Sequence, residues 1–149
     1  VAHSLMYGAA IMGMDLNIIC PKGYEPNPAV LSKTLEMCRA SGGSIKIFDD
    51  AKPWLTGCKV IYTDVWTSMG QEEESARRRR ELADYQVDLK MTEHAHPDWI
   101  FMHCLPAHRG EEVLDEVADH PKSIIFDQAE NRLHVQKAIM LILLGKAEG

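Results

Sequence analysis

The chain has 149 residues, 46% of them hydrophobic and 26% charged, which suits one soluble domain with a core of its own. A formal charge of −6 argues against a general nucleic-acid binder, because phosphate backbones need a basic face. The longest apolar run, residues 138–144, is too short to span a bilayer, so no membrane partner is expected.

The pattern is helical from the start. Leu5, Met6, Ala9, Ala10 and Met12 recur at helical spacing, which predicts a helix over residues 1–14. A chain that opens at Val1 without Met and runs at once into a helix reads as a processed or excised piece, and its opening residues carry no secretory pattern. A short apolar strand over residues 16–20 ends at Pro21. Asn27 as cap and Pro28 in the first turn predict a helix over residues 28–40, which Gly42 and Gly43 stop. Strands follow at residues 44–48 and 59–63, then a charged helix at 72–83 and another at 87–95. A fourth strand over 99–103, a helix over 111–118, a fifth strand over 123–126 and a last helix over 129–144 complete the chain. This alternation implies βαβ crossovers, and hence an α/β, three-layer, Rossmann-like domain with a five-stranded parallel sheet over residues 1–149.

Open parallel sheets bind ligands beyond the carboxyl ends of their strands, and the polar clusters fall there. The third strand runs into Asp64, Ser68, Met69 and Gly70, the fourth into Cys104, Leu105 and Pro106, and the fifth into Glu130, Asn131 and Arg132. A lone Asp64 reads as a turn or helix cap, but a hydroxyl and turn amides close behind it make a receptor for an ammonium and a carboxylate. His103-Cys104 admits four readings: metal ligands, a covalent nucleophile, a substrate-positioning thiol, or a buried structural cysteine. Strand neighbours point to opposite faces, which disfavours joint chelation, and nothing specifies an opposed histidine or an oxyanion hole. A cation suits the first turn of a helix poorly, so Arg132 suggests a fork of donors aimed at a ligand oxygen.

Other groupings read as bland. Glu73–Arg77 and Glu74–Arg78 are i,i+4 pairs on a solvated helix, and His94 and His96 sit in a loop near Pro97. Cys20, Cys38, Cys58 and Cys104 lack zinc or redox spacing and read as reduced thiols of a cytoplasmic protein.

The stretch DVWTSMGQEE from Asp64 to Glu73 resembles the ornithine-binding loop of the ornithine carbamoyltransferase family. HCLP from His103 to Pro106 is similar to that family's short catalytic motif, and Glu130-Asn131-Arg132 to its later carbamoyl-phosphate contact. The likeness covers essentially the whole chain, in order and spacing. It implies transfer of a carbamoyl group from carbamoyl phosphate to the δ-amine of L-ornithine, giving L-citrulline and phosphate. By that resemblance Asp64, Ser68 and the backbone around Met69 hold ornithine's α-amino-acid end. Cys104 lies near the reacting amine and carbamoyl group, Leu105 lends a backbone carbonyl, and Arg132 polarises the carbamoyl oxygen. No metal or organic cofactor is implied, and the family's trimer-based homo-oligomer is. The family's tandem asparagine, its Ser-Thr-Arg-Thr segment and its HPxQ motif are absent, so the expectation is an ornithine-binding half lacking the N-terminal carbamoyl-phosphate domain.

A cation near the thiol would lower its pKa from about 8.5, giving Cys104 a share in the amine's proton. Two other readings stay open: a carbamoyltransferase for putrescine or an acylated ornithine, and a non-catalytic amino-acid-binding module.

Overall fold

The computed structural model describes residues 1–67 and 74–145, leaving out the Lys52 side chain. Ser68, Met69, Gly70, Glu72 and Glu73 therefore lie outside the described residues.

Helix α1 (Ala2–Met12) buries Met6, Ala9 and Ala10 and ends on Gly13, whose φ of 67° only glycine adopts freely. Strand β1 (Asp15–Ile19) leads to α2 (Pro28–Ser41), where the Asn27 side chain caps by accepting from the Ala29 N–H at 2.8 Å. Strand β2 (Ser44–Phe48) then returns parallel to β1, in register from Asp15 opposite Ser44 to Ile19 opposite Phe48. Met6, Ala10, Cys38 and Ile45 form the core of this first βαβ unit.

A 3-10 turn (Lys52–Trp54) precedes β3 (Val60–Thr63), which pairs in parallel with β4 (Ile100–His103) from Val60 opposite Ile100 to Thr63 opposite His103. Between them lie α3 (Ser75–Glu81), a 3-10 turn (Ala83–Tyr85) and α4 (Leu89–Thr92). Helices α5 (Asp115–Ala118) and α6 (Ile125–Leu143) follow. The larger core gathers Ile61, Val87, Phe101, Val113, Val117 and Ile125, with Ile19 of β1 packed against it. Burying a side chain such as Phe101 completely contributes about 1.5–3 kcal/mol.

The α/β character and the parallel pairing agree with expectation, whereas the sheet differs. The described strands form two two-stranded sheets, β1-β2 and β3-β4, rather than one of five strands. The expected fifth strand is reduced to a single bridge, Ser123 against Phe101. Phe101 donates to Lys122 O and accepts from the Ile124 N–H, both at 3.0 Å. The next outward donor on β4, the His103 N–H, goes to the Gln128 side chain at 3.0 Å instead of to backbone. A glutamine on the first turn of α6 thus ends the ladder, and the helix begins at Ile125 rather than near residue 129.

The helices expected over 87–95 and 111–118 shorten for a shared reason. Val87 and Val113 form a parallel bridge, with Val87 N–H on Glu112 O at 3.0 Å and Leu114 N–H on Val87 O at 3.1 Å. Backbone committed to that pairing cannot also be helical, so α4 and α5 keep one turn each. No helix among the described residues is long and apolar enough to cross a membrane.

Candidate functional site

Strands β3 and β4 run side by side, so the residues just beyond their carboxyl ends must meet. Asp64 follows β3 and Cys104 follows β4, and the Cys104 thiol donates to Asp64 Oδ1 at 3.0 Å. The same oxygen accepts from the Val65 N–H at 2.8 Å, which fixes the carboxylate against its own turn. Tyr62, two residues before Asp64 on the same side of the chain, stands close enough to the Cys104 thiol to influence it. Gln128 Nε2 donates to the Tyr62 hydroxyl at 3.2 Å while its Oε1 holds the His103 N–H. Burial pushes the Tyr62 hydroxyl above its usual range, so it stays a donor.

The thiol behaves opposite to the expectation from a nearby cation. Burial first, then the hydrogen bond to Asp64 and its charge, raise the Cys104 pKa. Cys104 is therefore a protonated thiol at neutral pH.

Cys104, Leu105, Pro106, Phe126, Arg132 and Leu133 are among the residues around an open pocket of about 780 Å³. Arg132 reaches it from the second turn of α6 rather than the first, because the helix begins four residues earlier than expected. Its exposed guanidinium has no hydrogen bond or ion pair among the described residues. Arg109, on the same pocket, is committed: it donates to Asp115 at 2.8 Å and to Asp119 at 2.6 and 2.7 Å. The structure thus joins Asp64 to Cys104 directly, and Cys104 and Leu105 to Arg132 across a pocket. Ser68 and Met69 fall outside the described residues.

His103 does not line this pocket. Its ring Nδ1 accepts from the Leu105 N–H at 2.8 Å, and its Nε2 meets Glu112 Oε1 at 3.1 Å. Glu112 Oε1 also accepts from the His108 N–H at 2.6 Å. His103 and Glu112 are both fully buried. Burial alone would raise the Glu112 pKa, but the bonds from His103 and the His108 amide hold it below its usual value. Leu105 adopts φ 55°, a left-handed conformation that costs a branched residue about 1–3 kcal/mol. The adjacent Leu105–Pro106 peptide is cis.

His108, Glu111 and Glu112 bring potential ligand atoms within 4.8 Å of one another. Glu112 already serves His103 and His108, and Glu111 pairs with Arg79 at 3.5 Å, so structural contacts account for the group. Sequence reasoning passed over Tyr62, Gln128 and Glu112, none of which carries a motif. It also placed Arg78 on a merely solvated face. The Glu74–Arg78 pair forms at 2.8 Å, but Arg78 also donates to Trp66 O at 3.1 Å and so ties α3 to the turn after β3.

Residues 1–143 match the family model for the aspartate/ornithine carbamoyltransferase Asp/Orn binding domain. The chain belongs to this family. It is 50% identical over 145 residues to an ornithine carbamoyltransferase of Thermococcus kodakarensis, an alignment covering 97% of this chain and 46% of that protein. The solved ornithine carbamoyltransferase of Pyrococcus furiosus superposes with a TM-score of 0.92 at 47% identity, over 99% of this chain and 47% of that one. An acetylornithine transcarbamylase complexed with acetylcitrulline is also similar, with a TM-score of 0.84 at 34% identity, over 96% of this chain and 44% of that one. The chain spans about half the length of the curated relatives it matches.

Proposed function

We propose that this chain supplies the ornithine half of the active site of an ornithine carbamoyltransferase, its carbamoyl-phosphate half lying in a partner domain. One observation carries the reading: a carboxylate hydrogen-bonded to a thiol stands at one strand edge, beside a pocket also lined by Arg132, whose guanidinium has no partner among the described residues.

In this reading the neutral δ-amine of ornithine attacks the carbamoyl carbon. A C–N bond forms, the C–O bond to phosphate breaks, and the proton lost by the amine passes to the departing phosphate. Arg132 donates to the carbamoyl oxygen as charge builds on it, and Leu105 offers its carbonyl to an N–H at the reacting centre. Cys104, whose S–H donates to Asp64, presents sulfur lone pairs to the amine instead of attacking as a thiolate. Asp64, with Ser68 and the backbone at Met69, holds the α-ammonium and carboxylate. The free amine has a pKa of about 10.4, like lysine, so desolvation and the nearby cation must favour its neutral form.

The same reading takes the β1-β2 and β3-β4 pairs as parts of one parallel, Rossmann-like layer, with the Ser123 bridge at its edge. Packing of Ile19 on the core beneath β3 and β4 supports that continuity. It also takes the complete protein to be a cytoplasmic, trimer-based homo-oligomer, as the family resemblance implies. Ornithine is preferred to an acylated ornithine because relatives named for ornithine reach 50% identity, against 34% for the acetylornithine transcarbamylase.

The decisive experiment uses the complete enzyme with Asp64→Asn. Ornithine KM should rise well above any change in carbamoyl-phosphate KM, since a charge-assisted bond worth about 1.5–3 kcal/mol is weakened. Equal changes in both constants would make Asp64 a fold residue only. Wild-type preference for acetylornithine or putrescine would replace the substrate assignment.

A further inference from the structure

We infer that Glu112 is a positioning residue of this site, acting through His103 to fix the Cys104–Leu105 turn at the pocket rim. The inference rests on the function proposed above. Glu112 does not line the pocket, yet a continuous chain of hydrogen bonds leads from this buried side chain to the rim.

The chain has a direction. Leu105 N–H donates to His103 Nδ1 at 2.8 Å, so that nitrogen carries no proton. The ring's proton therefore sits on Nε2 and is donated to Glu112 Oε1 at 3.1 Å. His108 N–H, from the segment beyond Pro106, donates to the same oxygen at 2.6 Å. Glu112 thus selects the imidazole tautomer, orients the ring, and pins the chain on both sides of Leu105 and Pro106. Without a bare Nδ1 facing it, the Leu105 N–H would lose its acceptor. A left-handed leucine does not hold itself in place, so its conformation must be set by such partners.

Stability alone is a poor reason for the arrangement. Glu112 Oε2 is buried with no partner among the described residues, and well-packed apolar side chains often serve a core at least as well as a buried polar pair that includes a charge. What an apolar pair cannot supply is a fixed tautomer and a fixed backbone amide. Those are what Cys104 and Leu105 need if they are to meet a reacting amine and carbamoyl group.

The test uses the complete enzyme, assayed well below its melting temperature. Glu112→Leu keeps the side chain's bulk without an acceptor, whereas Glu112→Gln keeps an acceptor oxygen. The expected result for Glu112→Leu is a kcat loss on the order of 10²-fold with ornithine KM little changed, as for misplaced reacting groups. Glu112→Gln should recover most of that loss. In parallel, long-range proton–nitrogen NMR of ¹⁵N-histidine-labelled wild-type enzyme should show His103 as the Nε2–H tautomer. A folded Glu112→Leu enzyme with near wild-type kcat would overturn the inference. So would Glu112→Gln falling as far as Glu112→Leu, or a His103 ring protonated on Nδ1. If Glu112→Leu does not fold, the wild-type tautomer decides. Failure of the wild-type enzyme to form citrulline would instead sink the function on which the inference rests.

Discussion

At the scale of single residues, Asp64 has two calls on one oxygen, the Val65 amide and the Cys104 thiol. The carboxylate's negative charge and the burial of the sulfur both favour the protonated thiol. Raising a thiol's pKa lowers its thiolate fraction at any given pH, so Cys104 should alkylate slowly at pH 8 in the complete enzyme. Asp64→Asn removes the charge while leaving the burial, so the Cys104 pKa should fall and its alkylation by iodoacetamide should accelerate. Peptide-resolved mass spectrometry separates Cys104 from Cys20, Cys38 and Cys58; an unchanged or slower rate at Cys104 would contradict the coupling. The same experiment with carbamoyl phosphate alone should reveal no carbamoyl thioester on Cys104, since a held thiol is not a nucleophile. Much of this site was legible in the sequence, because Asp64, Cys104 and Arg132 each follow a strand or helix signal at one sheet edge. Tyr62, Gln128 and Glu112 were not. Their roles depend on which backbone amide or sulfur lies opposite, and that is a property of tertiary register.

At the scale of elements, signals written in local chemistry carried over well. Asn27-Pro28 opens α2, Gly42 closes it with φ 83°, and Ser44 to Phe48 is a strand as its pattern predicts. The elements that come out shortened, at residues 87–95 and 111–118, and the strand at 123–126 that is reduced to one bridge lie where a remote partner took the backbone: Val113 for Val87, and Gln128 for His103. Helical or strand pattern cannot announce a competitor some twenty-five residues away. The turn from α2 into β2 offers a test of how tightly the first unit is closed. Gly42 has open space around it but a positive φ, so Gly42→Ala should cost about 1 kcal/mol in backbone strain. Gly43 has an ordinary φ, yet a Cβ there would stand 2.6 Å from Met14 O and 2.8 Å from the Gly13 carbonyl carbon. Backbone cannot rotate aside as a side chain can, so Gly43→Ala should cost more, about 1–3 kcal/mol. Urea unfolding of both variants in the complete protein measures the order. If Gly42→Ala is the more damaging, the close approach of β1 and β2 at Met14 is looser than the geometry requires.

At the scale of the whole molecule, the described residues leave an apolar face uncovered. Helix α6 packs only its first turn into the core, through Ile125, and every described residue from Ala129 onward is exposed. That stretch carries Leu133, Val135, Ile139, Met140, Leu141, Ile142, Leu143 and Leu144, with Leu143 80% exposed. Ile11, Met12 and Met14 at the end of α1 and just after it add further apolar surface. A helix apolar on nearly all sides is normally buried on several, and each Å² of apolar surface left in water forgoes about 25 cal/mol. The relatives are about twice as long, so the natural cover is the portion of them that this chain does not span. Two outcomes are expected for the purified 149-residue chain. It should self-associate and bind a hydrophobic dye such as ANS, because an apolar patch beyond a few hundred Å² rarely stays bare. It should also form no citrulline from ornithine and carbamoyl phosphate, because the reaction needs both substrates aligned between two halves of a site. Sedimentation, dye fluorescence and a citrulline assay read these separately. A monomer that ignores the dye would mean that α6 folds back and covers itself. Turnover at the rate of a complete carbamoyltransferase would mean that the edge bearing Asp64, Cys104 and Arg132 is a whole active site, and the half-site reading would have to be abandoned.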